Sequence, residues 1–169
     1  MSTIIKALID SDVILDLFLD REPFADQTEQ VFEELAIARF EGYVTSAALL
    51  NIYYIARKTL GRFAALDCVR RLLETEGLEV IAVDKRQIQS ALNSKMTDFE
   101  DAVQAETAKF AEIDMIVTRN KRHFRKSPVP ALLPEEFLKE LKHKRLALFR
   151  LAFLHILHSH TKSDTIISE

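Results

Sequence analysis

The sequence has one cysteine, three glycines, four prolines and no tryptophan among its 169 residues. The lone Cys68 cannot form an internal disulfide, which argues against a small secreted domain stabilised by disulfides. So few glycines and prolines leave little material for linkers or long loops, and no stretch is repetitive or of low complexity. With 48% hydrophobic residues at this length, the sequence predicts one domain with a well-buried core.

Strong positive charge and targeting segments are also missing. The net charge of −3 argues against a globally basic nucleic-acid binder, although it allows a local basic patch. The start, MSTIIKALID, lacks the basic residues, long apolar run and cleavage site of a secretory signal. The densest apolar run, LALFRLAFLHILH, is too short for a transmembrane segment and contains Arg150. We therefore expect a cytoplasmic protein with no transmembrane segment.

Short apolar stretches, partly β-branched, alternate with helical patterns along the chain. The stretches typical of buried strands are residues 3–10, 42–46, 78–84, 114–118 and 129–133. The helical patterns cover residues 24–41, 47–60, 63–75, 86–93, 98–112 and 135 to about 158, and three of them end at or near Gly42, Gly61 and Gly77. This alternation predicts an α/β fold: a three-layer α/β/α sandwich with a central parallel sheet of about five strands, followed by a C-terminal helical extension.

Polar residues follow three of the predicted strands, at the edge where parallel sheets form their sites. They are Asp10 and Asp12 after the first strand, Ser46 with Asn51 after the second, and residues 118–120 after the fourth. An aspartate at the end of a buried strand is costly unless it is paired or solvated. No Lys or Arg lies within the next eight residues to neutralise this pair. Capping of the following helix is the competing explanation for both aspartates.

The stretch MTDFEDAVQAETA, residues 96–108, places three more carboxylates within four positions: Asp98, Glu100 and Asp101. If a helix begins near Asp98, Asp98 and Asp101 share one face and Glu100 points away from it. A capping box explains Thr97 and Glu100 but not the other two. Should the fold bring Asp10 near Asp98 and Asp101, their charges would repel one another unless a cation lay between them. Oxygen ligands without Cys or His select Mg²⁺ or Mn²⁺, and metal-assisted phosphodiester hydrolysis follows as a hypothesis.

A basic run, TRNKRHFRK, begins at the end of the fourth predicted strand. A loop there would lie beside the acidic residues, and its positive charge could hold RNA phosphates. An ordinary solvated turn is the alternative. We expect His123, inside the run, to face solvent. The candidate substrate-binding residues are Arg119, Lys121, Arg122, Arg125 and Lys126.

Four stretches, taken together and in this order, resemble the motifs of the PIN domain family, in particular its bacterial subgroup with DFEDA and TRN motifs. They are ALIDSDVILDLFLDREPF, TSAALLNIYYIARK, DFEDAVQAETA, and IVTRNKRHF followed by PEEFL. The resemblance covers residues 4 to about 140. It implies a Mg²⁺- or Mn²⁺-dependent endoribonuclease, a hydrolase of phosphodiester bonds that is commonly the toxin of a type II toxin–antitoxin pair. RNA would be its substrate and an antitoxin its partner.

The resemblance also implies roles for individual residues. Asp10 corresponds to the family's first metal-binding Asp, Asp101 to the Asp at the helix start, and Asp98 to the additional acid of the subgroup. Asn51 stands where many PIN domains have a Glu, and Asn120 where many have a further Asp. Since amides carry no charge, we expect one firmly held metal ion. Asn120 could offer an oxygen to the ion or orient a water within the catalytic set, or it could be only a turn residue.

Two other functions stay open at this point. The stretch IDSD also resembles the nucleophile motif of haloacid-dehalogenase-like phosphatases, in which Asp10 would be phosphorylated and Asp12 would act as acid and base. That chemistry also needs a Lys and an acidic pair at a strand end, whereas here the acidic pair opens a helix. Alternatively, Asn51 and Asn120 are compatible with a catalytically weak PIN module that binds RNA or a protein partner without cutting it.

The C-terminal segment lies outside the resemblance. We therefore predict a nuclease domain over residues 1–140 and a helical extension and tail over residues 141–169. The densest part of the run FLKELKHKRLALFRLAFLHILHSH, LALFRLAFLHILH, is apolar nearly all round. It needs cover from the domain itself, a second subunit of a homodimer or a bound antitoxin. Its basic first part leaves binding to a membrane surface as an alternative.

Overall fold

A five-stranded parallel sheet forms the centre of the protein, as the computed structural model shows for residues 4–146, the part of the chain that the structure describes. Along the sheet the strands follow the order β3-β2-β1-β4-β5, so that β1 is central and pairs with β2 and β4. The five strands are β1 (Ile5–Ile9), β2 (Phe40–Thr45), β3 (Leu78–Ile81), β4 (Met115–Val117) and β5 (Ala131–Leu132). The predicted fold class is confirmed.

Helices cover both faces of this sheet. They are α1 (Ser11–Phe18), α2 (Ala25–Ala36), α3 (Ser46–Leu60), α4 (Arg62–Glu74), α5 (Lys85–Leu92), α6 (Phe99–Phe110) and α7, which is described over 134–146. A short 3₁₀ helix, His123–Lys126, follows β4. The first four helices and α7 contribute to the larger core, and α6 to the core on the opposite face.

The alternation of side chains along β1 explains these two cores. Ile5 and Ile9 belong to the core with α1 to α4, whereas Leu8 packs with Ala105 and Ala108 of α6 on the other face. Successive strand residues point to opposite faces of a sheet. Because both faces are covered, β1 is apolar at nearly every position, and its following residues emerge between the two helical layers.

The helix predicted over residues 24–41 is too long at its C-terminal end. The helix α2 ends at Ala36, and the chain turns through Ala38, whose φ is +54°, before it enters β2. Gly42 is therefore a strand residue instead of a helix terminator. It pairs with Ala7, and a Cβ atom there would lie 2.8 Å from Cδ1 of Leu35. The close approach of α2 to β2 explains why this position holds a glycine.

The last described helix, α7, runs through the predicted end of the nuclease domain. Phe137, Leu138 and Leu141 lie in the same core as β1, and the ring of Phe137 meets that of Phe40 edge-on at 4.8 Å between centroids. The boundary between residues 140 and 141 stays a prediction, and most of the predicted extension, 147–169, lies outside the described residues. Within residues 4–146, no helix combines the length and hydrophobicity needed to cross a bilayer.

Candidate active site

The carboxylate of Asp10 lies at the carboxyl end of the central strand and is 4% exposed. Its oxygens accept hydrogen bonds from Nε2 of Gln104 at 2.9 Å and from Oγ1 of Thr118 at 2.8 Å. Asp10 occupies the N-cap position of α1, yet its side chain makes no capping hydrogen bond. The capping explanation is therefore wrong for Asp10. Its carboxylate instead links α6 to the end of β4.

Gln104 is a site residue that the sequence reasoning missed. It is 1% exposed, and besides holding Asp10 it leaves its own Oε1 buried without a hydrogen-bond partner. The available signal was its spacing, because Gln104 follows Asp101 by three residues and so shares its helix face. A buried glutamine on an otherwise small-residue helix indicates a polar environment at that face.

The first turn of α6 differs from the predicted capping box. Asp98 is the N-cap residue, and its Oδ1 accepts hydrogen bonds from the amides of Glu100 at 2.9 Å and Asp101 at 3.1 Å. Because Asp98 satisfies both amides, the hydroxyl of Thr97 is not needed for capping. The side chain of Glu100 does not reach back either, and instead accepts from Nδ2 of Asn51 at 2.7 Å.

Asn51 and Glu100 therefore both face the acidic region. Nδ2 of Asn51 also lies 3.3 Å from Oγ of Ser11, the residue after Asp10. Burial raises the pKa of Glu100, and the charges of Asp10 and Asp98 add to this rise. The expectation that Glu100 points away from the other acids is wrong. In contrast, Ser46 accepts a hydrogen bond from the amide of Val83 and ties α3 to the end of β3.

Asp101 is a half-buried acid whose pKa responds to the charges of its neighbours. Burial and the negative charges of Asp10 and Asp98 raise the pKa of Asp101 to about 6, against the opposing effect of His123. Nδ1 of His123 lies 3.1 Å from Oδ2 of Asp101. The expectation that His123 faces solvent is therefore wrong, because the 3₁₀ helix after β4 packs against α6 and turns the imidazole towards the acid.

Asp12 and Asn120 form a second part of the site. Oδ2 of Asp12 accepts from Nδ2 of Asn120 at 3.0 Å, and the amide of Asn120 donates to Oγ1 of Thr118 at 3.0 Å. The same Thr118 hydroxyl donates to Asp10. Burial and the charge of Asp10 raise the pKa of Asp12 to about 7. Asn120 is thus more than a turn residue, and it reaches Asp10 through Thr118.

The raised pKa of Asp12 predicts how stability depends on pH. A carboxyl group whose folded-state pKa lies above its unfolded value binds more protons in the folded protein, so stability falls as pH rises through that pKa. From about pH 4 to about pH 8 in chelator, we expect the unfolding free energy of the wild type to fall by about 2 kcal/mol relative to Asp12→Asn. The charge of Arg119 and the partial solvent contact of Asp12 keep this change in unfolding free energy below the value that the full pKa shift would give. Urea unfolding followed by circular dichroism measures this difference, and parallel curves for the two proteins would contradict it.

The donor chemistry of this site fits a hard divalent cation. Asp10, Asp98 and Asp101 come from β1 and the start of α6, and each carboxylate retains oxygen lone pairs beyond its hydrogen bonds. In the described range 4–146, however, no three Asp, Glu, His or Cys side chains are already gathered closely enough to hold an ion. The roles of these three residues as ligands, and of Asn120 as a catalytic residue, stay predictions.

The basic run divides into two groups. Arg119 donates to Asp16 at 2.8 Å and lies over the ring of Phe24 at 4.6 Å, and Lys121 pairs with Glu136 at 2.7 Å. Arg119 and Lys121 are thus already paired with carboxylates of the protein itself. The second group lies beside α6 with exposed side chains: Arg122, Arg125 and Lys126.

Comparisons with known proteins find a matching family model and similar folds. The family model described as PIN domain matches residues 6–122. The chain is 25% identical over 137 residues to ribonuclease VapC1 of Aquifex aeolicus (strain VF5), covering 78% of this chain and 92% of that protein. VapBC2 from Rickettsia felis, bound to a DNA fragment from their promoter, is similar in fold with a TM-score of 0.59 at 14% identity, over 75% of this chain and 97% of that chain. DNA-bound VapBC from Salmonella typhimurium gives a TM-score of 0.58 at 18% identity, over 78% and 99% of the two chains.

Proposed function

Because this chain belongs to the PIN domain family, we propose that it is a ribonuclease that hydrolyses RNA phosphodiester bonds with a bound Mg²⁺ or Mn²⁺ ion. Its homologue VapC1 is named a ribonuclease, and the chain covers 92% of that protein. We further propose that it acts as the toxin of a toxin–antitoxin pair. Its placement in the subgroup with DFEDA and TRN motifs stays a prediction.

One observation carries the nuclease proposal: Asp10, from the end of β1, is hydrogen-bonded to Gln104 of α6 at 2.9 Å, and its charge adds to the effect of burial in raising the pKa of Asp101 and Glu100 on the same helix. These residues are about ninety positions apart in the sequence. Folding therefore brings negative charges together, and their mutual repulsion opposes folding. A divalent cation would remove that repulsion, and carboxylate ligands suit the cations that phosphodiester hydrolysis uses.

The residues of the chain would divide the work as follows. A bound divalent ion supplies charge neutralisation at the scissile phosphate and a more acidic water. Asp10, Asp98 and Asp101 would hold it, while Gln104 and Thr118 keep the Asp10 carboxylate in one orientation. Hydrogen bonds to a carboxylate that binds a metal ion fix the direction in which its oxygens point.

Metal dependence tests the proposal directly. We expect purified protein to cut single-stranded RNA with Mg²⁺ or Mn²⁺, and EDTA to lower the rate by at least about 100-fold because the acids alone repel RNA. Calorimetric titration of the metal without RNA should give about one firmly bound ion, since Asn51 and Asn120 carry no charge. Restored cleavage on adding excess ion is the control. Cleavage that persists unchanged in EDTA would contradict the proposal.

Two outcomes separate the alternatives. Binding of RNA without cleavage under any metal condition would favour the weak PIN module that Asn51 and Asn120 make conceivable. The phosphatase alternative has lost its support, because the chain belongs to the PIN domain family. A trapped phosphate on Asp10 would be needed to revive it.

An antitoxin partner is part of the same proposal. One structure of similar fold is described as a toxin–antitoxin complex from Klebsiella pneumoniae. On this chain, α3 and α4 expose large apolar side chains that suit a protein partner: Leu50, Tyr54, Phe63 and Leu73 are 59% to 82% exposed. Either an antitoxin or a second subunit of a homodimer would cover them, and size-exclusion chromatography of the chain alone distinguishes the two.

A further inference from the structure

A small pocket lies beside the acidic site, between the loop that precedes α6 and the 3₁₀ helix that follows β4. Its volume is about 120 Å³. Four of its lining side chains are cationic, and they come from two separate parts of the chain: Lys95 on one side, and Arg122, Arg125 and Lys126 on the other. Lys95 precedes Arg122 by 27 positions in the sequence, and folding places it beside the basic run.

Within residues 4–146, none of these four cations forms an ion pair with a carboxylate. Among the residues that the structure describes, the ion pairs use other cations, including Arg119 and Lys121 of the same basic run. Like charges gathered around one pocket repel each other, and a bound anion relieves that repulsion. The pocket is thus the electrostatic complement of the carboxylate cluster beside it.

His123 connects the pocket to the acidic site. Its imidazole lines the pocket and lies 3.1 Å from the Asp101 carboxylate. Thr97, on the other wall, directly precedes Asp98. An anion in the pocket would therefore be separated from the acids by little more than one side chain. That separation suits two neighbouring phosphates of one strand, with one held by the cations and the next at the acids.

We propose that this pocket binds the backbone phosphate of the RNA nucleotide next to the scissile one, with Lys95 and Arg125 holding it from opposite sides. The inference rests on the proposed ribonuclease function and adds Lys95, which lies outside the basic run, to the substrate site. Phosphate contacts position a nucleic acid without reading its sequence. The pocket therefore fixes where the strand lies and leaves the choice of bases to other residues.

The test compares two double variants that each lose two positive charges. Lys95→Gln/Arg125→Gln removes one positive charge from each wall of the pocket. The matched control is Arg57→Gln/Lys58→Gln, at the C-terminal end of α3. Because α3 starts directly after β2 and rises about 1.5 Å per residue, these two residues lie about 20 Å from the carboxyl edge of the sheet. Both variants are made in the Asp101→Asn background and studied in EDTA, so that the RNA stays intact.

Fluorescence anisotropy with a labelled single-stranded RNA measures affinity across a series of KCl concentrations. We expect the pocket variant to bind about 10-fold more weakly at low salt, and the slope of log affinity against log salt to fall by about 1. Single-stranded DNA of the same sequence should lose affinity by the same factor, since the contact is to phosphate. The control should change both quantities by less than half as much.

Equal losses in the two double variants, with circular dichroism confirming that both are folded, would overturn the inference. The result is separable from that of the cleavage test. If wild-type protein cuts RNA with metal but the variants bind RNA equally, only the pocket assignment fails. If the pocket variant loses affinity while the wild type never cuts, the pocket holds a nucleic-acid phosphate and the nuclease proposal fails.

Discussion

Replacing Asp101 with asparagine should lower the proposed metal-dependent RNA cleavage by about three orders of magnitude, a change of about 4 kcal/mol in activation free energy, and should make the protein more stable in chelator. The loss is expected because Asp101 is a half-buried acid on α6 whose pKa is raised by burial and by the nearby charges of Asp10 and Asp98. An amide cannot supply the negative charge that a divalent ion requires there. The measurement is the initial rate of cleavage of a labelled RNA in Mg²⁺ or Mn²⁺.

The gain in stability has the same physical cause. The pKa of Asp101 is raised to about 6, so above that pH the ionised carboxylate costs folding free energy. Asparagine removes the charge, and we expect the unfolding free energy in EDTA near pH 7.5 to rise by about 1–2 kcal/mol, after allowing for the lost contact with His123. Below about pH 4 the wild type and Asp101→Asn should be equally stable, since the Asp101 carboxyl group of the wild type is then protonated in both the folded and the unfolded protein.

Asp26→Asn is the matched control, because Asp26 is also an acid in the first turn of a helix, α2, but is exposed and lies outside the site. It should leave cleavage unchanged and lower stability by less than about 1 kcal/mol through the helix dipole. An Asp101→Asn variant that keeps wild-type activity would remove this residue from the site. A variant that loses activity and also loses stability would indicate that Asp101 is structural.

The sequence carried enough information to predict the sheet and the edge of the sheet at which Asp10 lies. The stretch TIIKALID is apolar on both faces, which fixes it as a central strand and places the following Asp10 at the carboxyl edge. The helix of residues 98–112 had to lie nearby for Asp10 to meet Asp98 and Asp101. The coupling between Asp10 and Asp101 in the structure agrees with that expectation.

The orientations of side chains at the site could not be predicted from the sequence patterns. Glu100 fitted a capping box equally well, and only the position of Asn51 on α3 decides that it faces inward. His123 is turned towards Asp101 by the packing of a short 3₁₀ helix, which has no strong sequence signal. Helix α2 was predicted too long because Gly42 was interpreted as a terminator, whereas its small size serves the contact with Leu35.

The side-chain contacts of Arg119 were also beyond the sequence patterns. Its replacement is the change for which we expect the largest loss of stability. The sequence placed it with the RNA-binding cations, but its guanidinium donates to Asp16 at 2.8 Å and lies 3.8 Å from Asp12. Asp16 is fully buried, and burial raises its pKa against the charges of Arg119 and Arg21. We expect Arg119→Ala to lower the unfolding free energy by about 3 kcal/mol near neutral pH, because it leaves buried carboxylates without their main counter-charge.

Urea unfolding of three proteins tests this role against RNA binding. Lys121→Ala is the control from the same basic run, because its exposed pair with Glu136 contributes less than about 1 kcal/mol. The loss caused by Arg119→Ala should shrink near pH 4, where protonation of Asp16 and Asp12 removes the unpaired charges. It should shrink at neutral pH too when Asp16→Asn is added. If Arg119→Ala instead keeps full stability and flattens the salt dependence of RNA binding, Arg119 contacts the substrate and the internal ion pair is not its role.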